Sequence, residues 1–331
     1  MNPCALAPFA LPRRLAGAAL AGALALGGAA LLLRAPPAAA EPTLNGFDLA
    51  GALVPPAAIQ RGGPPRDGIQ AIDQPRFVEP EAARIAPDAR VLGVVVNGDA
   101  RAYPISILNW HEIVNDHVGG RAVVVTFCPL CGTGMAFDAS LGVKPSSFGV
   151  SGLLFNSDVL LYDRETSSLW SQILMTAVTG PMKGRKLRPL PTAHTTWADW
   201  RARHPGSKLL SGDTGFARDY ARDPYAGYEQ TAEPMFDVQH RDGRFPAKEW
   251  VLGVSIGEVH KAYPFSLLAK AIGSQGVLRD RVGGQDLTIH FDAAHRSARV
   301  TDAGGAELPS LMAYWFAWVA FHPGTEVLAP R

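Results

Sequence analysis

The chain repeats itself, and this constrains its fold more than any other feature of the 331 residues. Val91-Leu92-Gly93-Val94 returns as Val251-Leu252-Gly253-Val254, and Ala102-Tyr103-Pro104 as Ala262-Tyr263-Pro264, both 160 positions later. Asp116-His117-Val118-Gly119-Gly120 pairs with Asp280-Arg281-Val282-Gly283-Gly284 at an offset of 164. Leu190-Pro191, Trp197, Trp200 and His204-Pro205-Gly206 then return as Leu308-Pro309, Trp315, Trp318 and His322-Pro323-Gly324 at an offset of 118. The order is the same in both copies. The smaller last offset leaves about 46 extra residues in the first copy, between the strand ending at Phe127 and the Trp block. Residues common to both copies are expected to specify a shared scaffold, and residues confined to the first copy are candidates for function.

Local patterns fill in the elements. Val91–Val96 predicts a strand, Asn97-Gly98-Asp99 a turn, and Arg101–Tyr103 its hairpin partner. Ile105–Asn115 predicts a short helix, Gly119-Gly120 a turn, and Val123–Phe127 a buried strand. Met135–Phe137, Phe148–Val150 and Val159–Tyr162 read as further strands, and Thr196–Arg203 as a helix stopped by Pro205. The expected fold class is α+β, mostly antiparallel β, with two internally related halves. Its segments are a first half over 81–246 carrying the insert, a degenerate second half over 247–331, and a Pro/Gly-rich arm over 41–80.

Residues 1–40 read as a targeting segment. Arg13-Arg14 precede an apolar run from Leu15 to Leu33, and Ala38-Ala39-Ala40 offer small residues for cleavage. The run is long for a signal peptide, so an uncleaved membrane anchor is the alternative. Removal of these residues leaves 28 basic and 30 acidic side chains and no basic run, which argues against nucleic acid as a partner. The expected location is periplasmic or extracellular, with membrane contact only through the N-terminal segment if it is retained. Only two cysteines, Cys128 and Cys131, lie outside that segment.

These cysteines directly follow a predicted strand. A Cys-x-x-Cys pair in an oxidising compartment suits thiol–disulfide exchange, half of a metal site, or a structural disulfide. The second copy has Asp292 and His295 at the corresponding positions, which excludes disulfide chemistry there; they could be metal ligands, but an exposed loop is the simpler reading of that pair. Trp110-His111-Glu112 also belongs to the first copy alone, and His111 is a candidate general base or third metal ligand. The insert concentrates polar residues around short apolar strands. Ser151, Asn156, Asp158, Asp163, Arg164, Trp170 and Gln172, together with Glu112, could line a pocket above the cysteines, although Asp163-Arg164 also suits a plain tight turn.

At these residues the chain resembles the DUF3179 family, a domain of unknown function. The resemblance runs through Asp67-Gly68-Ile69, Ala102-Tyr103-Pro104, Asn109-Trp110-His111-Glu112, Cys128-Pro129-Leu130-Cys131-Gly132 and Gly149-Val150-Ser151-Gly152. It continues through Asn156-Ser157-Asp158, Tyr162–Thr166, Leu169–Gln172, Arg218-Asp219-Tyr220 and Pro224-Tyr225. Gln70 departs from the family pattern, where Pro is usual. Some members are described as selenoproteins, and that resemblance implies redox chemistry at the Cys-Pro-Leu-Cys segment.

The expectation is therefore a thiol/disulfide-type oxidoreductase with Cys128, Cys131 and His111 as catalytic residues, acting on a redox partner or substrate that the sequence does not name. The alternatives are a copper or zinc protein using Cys128, Cys131 and His111, and a binding module with a structural disulfide.

Overall fold

The computed structural model describes residues 43–142 and 145–329, so the expected targeting segment lies outside the described residues. Strand accounts for 41% and helix for 13%, and the α-helices are four isolated segments of seven or eight residues. This overturns the α+β reading with two halves. Among the described residues five of six small sheets are arranged as a five-bladed β-propeller, and the sixth pairs Thr43–Leu44 with Phe47–Asp48. Short helices looked like a second structural class in the sequence. In the fold each only turns the chain from one strand to the next.

Blade 1 orders its strands Thr192–Thr196, Arg90–Val96, Asp99–Pro104, Lys208–Leu210 and Phe77–Val78. Blade 2 runs Arg188–Leu190, Thr133–Asp138, Arg121–Cys128 and Ile113–Val118. Blade 3 is Thr176–Ala177, Leu169–Ser171, Asp158–Asp163, Phe148–Phe155 and Ile59–Arg61. Blade 4 is Leu311–Tyr314, Trp250–Ile256, Val259–Pro264 and Glu326–Val327, and blade 5 is Gln275–Val282, Gln285–Asp292, Ser297–Asp302 and Glu307–Leu308.

The sequence repeat maps onto blades. Blade 1 corresponds to blade 4 and blade 2 to blade 5, with matching registers: Val91 pairs with Pro104 as Val251 pairs with Pro264. Blades 1 and 4 each also add one parallel strand, at Leu209 opposite Ala102 and at Val327 opposite Ala262. The first copy's extra residues form most of blade 3, which has no counterpart. The expected N-terminal arm supplies edge strands at Ile59–Arg61 and Phe77–Val78.

Shared residues do the same structural work twice. Tyr103 donates to Asp116 at 2.7 Å and Tyr263 to Asp280 at 2.8 Å. Trp200 Nε1 donates to Ser207 Oγ, and Trp318 Nε1 to Thr325 Oγ1. Each of these tryptophans lies flat against a strand glycine, and any Cβ there would sit 2.3 Å from Trp200 at Gly93 or 2.2 Å from Trp318 at Gly253.

His322 stacks on Trp318 at 4.1 Å and on His260 at 4.0 Å. Burial, then the neighbouring His260, pulls its pKa from 6.5 down to about 3. The fold therefore holds His322 neutral, whereas the unfolded chain takes up its proton below about pH 6.5. The neutral form's advantage is complete above that pH and is lost as pH falls toward 3. Acidification to pH 4 is expected to cost on the order of 2 kcal/mol through this residue after allowance for solvent screening. His322→Gln should flatten that part of the thermal-midpoint profile, measured by circular dichroism between pH 7 and 4.

Candidate functional site

The Cys-x-x-Cys segment is the tip of the blade 2 hairpin. Cys128 pairs with Thr133 across the two strands, and Cys131 N donates to Cys128 O at 3.2 Å to close the turn. Gly132 has φ 65°, a left-handed value suited to glycine, and its Cα faces the Trp250 and Tyr314 rings closely enough to forbid a side chain. The tip is pinned to blade 4 by Tyr314 N donating to Cys131 O at 2.9 Å and Thr133 Oγ1 to Met312 O at 3.0 Å.

Blade 3 closes the other side. Phe155 pairs with Asp158 around a two-residue hairpin whose central residues, Asn156 and Ser157, have φ of 52° and 65°. Positive φ at both centres is the tight hairpin form that suits strand twist. Asn156 then locks the turn in place: its Nδ2 donates to Ala320 O at 3.1 Å and its Oδ1 accepts Gln239 N at 2.8 Å. The result aims Ser157 and Asp158 at the cysteines. Both thiols donate to Ser157 O, Cys131 Sγ at 3.3 Å and Cys128 Sγ at 3.7 Å.

Cys128 Sγ, Cys131 Sγ and an Asp158 carboxylate oxygen all lie within 4.8 Å of one another. The three residues are at most 1% exposed, and the cysteines are free thiols, not a disulfide. Asp158 Oδ2 accepts Ile173 N at 3.1 Å, but among the described residues Asp158 Oδ1 has no partner, and neither do Ser157 Oγ and Gln172 Oε1. Gln172 Nε2 is held by Thr126 Oγ1 at 2.7 Å, on the strand that ends in Cys128. Burial raises the Asp158 carboxyl to about 8, and burial followed by contact with Cys128 pushes the Cys131 thiol well above its ordinary value. Asp158 and Cys131 are thus disposed to be protonated until something positive joins them.

The structure does not bring His111 into this group. Its Nδ1 lies 2.7 Å from Gln70 O and its Nε2 2.7 Å from Tyr220 OH, so both ring nitrogens are engaged elsewhere. Among the other sequence candidates, Ser151 stitches a β-bulge, with Oγ donating to Leu160 O and accepting Leu153 N. Asp163 accepts Trp170 Nε1 at 2.8 Å and caps the turn to Thr166, and Arg164 pairs with Asp73 at 2.8 Å. Those residues hold blade 3 together.

Glu112 stands nearer. Its carbonyl accepts Phe127 N at 2.7 Å, one residue before Cys128, and burial raises its carboxyl to about 8. Tyr225 is raised first by burial and then by negative charge at Glu112 and Cys128, so the three share a neighbourhood. Glu112 caps its helix at φ 56°, where the second copy uses Gly273 at φ 77°. Glu112→Gly is expected to stabilise the fold by about 1 kcal/mol by relieving this strain. A lower urea midpoint for the variant would contradict this.

Composition hid the residues that cover the site. Tyr225 and Tyr228 come from the stretch 211–249, which holds one three-residue 3-10 turn and no strand, and Trp250 and Tyr314 come from blade 4. Only the Pro224-Tyr225 motif flagged any of them.

No curated protein and no solved structure matches the chain. A family model described as a protein of unknown function (DUF3179) matches residues 66–325 and so takes in strands of all five blades. The Cys128–Cys131 turn, the Asn156-Ser157-Asp158 hairpin and Gln172 all lie inside that match, and the chain belongs to the DUF3179 family.

Proposed function

We propose that Cys128, Cys131 and Asp158 bind a thiophilic divalent metal ion, with Zn²⁺ the best fit. The observation that carries this reading is the closed cluster of two sulfurs and one carboxylate, buried beside the unpartnered Asp158 Oδ1. A buried thiol with a raised pKa is a poor nucleophile, whereas a bound cation would deprotonate all three groups and neutralise most of their charge. A divalent ion offsets two of the three negative charges and Cu⁺ only one, which favours zinc in so dry a setting. Tetrahedral coordination calls for a fourth donor, and Gln172 Oε1, Ser157 Oγ or a water could supply it.

One observation supports a second reading, a dithiol redox pair. Asp158 sits within reach of both sulfurs with its carboxyl near neutrality, which suits it to take a thiol proton in the place expected of His111. Access separates the two readings, because exchange with a redox partner needs an exposed sulfur. If the N-terminal segment directs export, either chemistry operates in the periplasm or outside the cell. Enzymatic activity would follow only from the second reading or from an open fourth position on the metal.

The test is alkylation of the reduced, folded chain, read by intact mass. With one equivalent of Zn²⁺ both cysteines should resist the reagent, and a chelator should release them. Equal labelling with and without Zn²⁺ would refute the metal reading.

A further inference from the structure

The second copy places Asp292 and His295 at the positions of Cys128 and Cys131, at the end of the strand Gln285–Asp292. A plain exposed loop would leave them without a third polar partner. Instead the first copy's helix Trp197–Arg203 brings Asp199 to them, and one ligand atom from each of Asp199, Asp292 and His295 lies within 4.8 Å of the others. All three are half-buried. Each Cys-equivalent pair thus meets one carboxylate from another blade or its adjoining helix: Asp158 in the first case, Asp199 in the second.

The hydrogen bonds around the second cluster leave donor atoms free. Asp199 Oδ2 accepts Thr195 Oγ1 at 2.7 Å, Arg203 Nη2 at 2.7 Å and Arg203 Nε at 3.1 Å. Among the described residues Asp199 Oδ1 has no partner. Asp292 Oδ2 accepts Gln275 Nε2 at 3.1 Å and lies 2.9 Å from His295 Nδ1, which orients the imidazole and leaves its Nε2 without a protein partner among the described residues. Asp292 Oδ1 also accepts His295 N at 3.2 Å, so it is Asp199 and His295 that are each anchored through one side-chain atom with another left over, the way metal ligands are commonly aimed. A cavity of about 290 Å³ beside the cluster is walled by Asp199, Asp292, Arg203 and Arg299, though not by His295.

We infer that Asp199, Asp292 and His295 form a second metal site, independent of the thiols and open to exchange. Arg203 already offsets one of the two carboxylate charges, so a hard ion such as Mg²⁺ gains little here. The imidazole shifts preference toward borderline ions such as Co²⁺, Ni²⁺ and Zn²⁺. Because the site shares no ligand with the cysteine cluster, it goes beyond the function proposed above and does not depend on it.

The experiment is a Co²⁺ titration of the reduced full chain followed by visible absorption and equilibrium dialysis. The site accounts for one equivalent that lacks the thiolate-to-cobalt charge-transfer band. This equivalent should persist in Cys131→Ser and fall at least tenfold in affinity in His295→Gln and in Asp292→Asn. If the cysteine site fails to bind, the charge-transfer band is missing while this equivalent remains, so the two failures are distinguishable. Undiminished non-thiolate Co²⁺ binding in either variant, or no such equivalent in the wild-type chain, would overturn the inference. Asp292→Asn keeps one acceptor oxygen for His295 N, which now donates to Asp292 Oδ1 at 3.2 Å, and so decides the matter should His295→Gln fail to fold.

Discussion

Cys131→Ser is expected to abolish the stabilisation that Zn²⁺ confers on the reduced protein. Metal that binds only the folded chain adds about 2.7 kcal/mol at 100 times its dissociation constant and about 4.1 kcal/mol at 1,000 times. The wild-type unfolding temperature should therefore rise by several degrees with Zn²⁺, while that of the variant rises only by any contribution from the Asp292–His295 site. His295→Gln removes that contribution and isolates the thiol term. Without metal the same substitution should matter much less, because serine keeps a donor toward Ser157 O, which now accepts the Cys131 thiol at 3.3 Å. Asp158→Asn makes the complementary case. It removes a buried carboxyl with an unpartnered oxygen, so the metal-free chain should be no less stable, yet the Zn²⁺ increment should shrink. Differential scanning calorimetry with and without Zn²⁺ reads both effects. An equal increment in the wild type and Cys131→Ser, each carrying His295→Gln, would count against the thiol ligands.

Gly253→Ala is expected to be a severely damaging methyl addition to the scaffold. The added carbon would lie 2.2 Å from the Trp318 ring, in a contact formed by a fully buried side chain with nowhere to move. Trp318 is also tied by Nε1 to Thr325 Oγ1 at 2.8 Å, so it cannot swing aside without losing a buried hydrogen bond. Overpacking of this kind should cost roughly 3 kcal/mol or more. Gly93→Ala should behave alike against Trp200, because the repeat builds the same contact there. Gly243→Ala is the control: a Cβ there meets nothing within 4 Å, and its effect should stay within about 0.5 kcal/mol. Urea midpoints for the three variants test this ordering, and near-equal values would show that the Trp–Gly contacts do not limit the fold.

These contacts also show why part of the architecture was legible in the sequence. A repeat exposes residues that must recur for geometric reasons. Gly93 and Gly253, Trp200 and Trp318, and Tyr103 and Tyr263 could be paired before any coordinates were known, and each pair makes matching contacts. The number of blades was not legible. A strand pattern specifies neighbours along the chain, whereas the closure of Arg90–Val96 onto Thr192–Thr196 joins segments about a hundred residues apart. The insert's polar residues suggested a pocket lining, but several of them make structural contacts instead, as Asp163 does with Trp170 and Arg164 with Asp73.

The candidate site divides along similar lines. Cys128 and Cys131 stood out because they were missing from the second copy, and Asp158 entered as one of several polar residues and as a neighbour of a metal site. Its selection over His111 depends on the Asn156-Ser157 turn, which swings blade 3 against the blade 2 hairpin. His111 had the right chemistry and proximity in sequence, but Gln70 O and Tyr220 OH occupy both of its nitrogens. No one-dimensional pattern reveals such a competition. The Asp292–His295 pair carried the same lesson in reverse: two residues on an ordinary loop acquire a third partner only because Asp199 arrives from another blade's connecting helix.

The most direct measurement is X-ray absorption at the zinc edge on the His295→Gln protein loaded with one equivalent of Zn²⁺. This variant keeps the cysteine cluster and removes the competing imidazole. The account predicts two sulfur neighbours at about 2.3 Å and two oxygen or nitrogen neighbours at about 2.0–2.2 Å. A shell made only of oxygen and nitrogen would contradict it, and would leave Cys128 and Cys131 as a buried thiol pair with some other purpose.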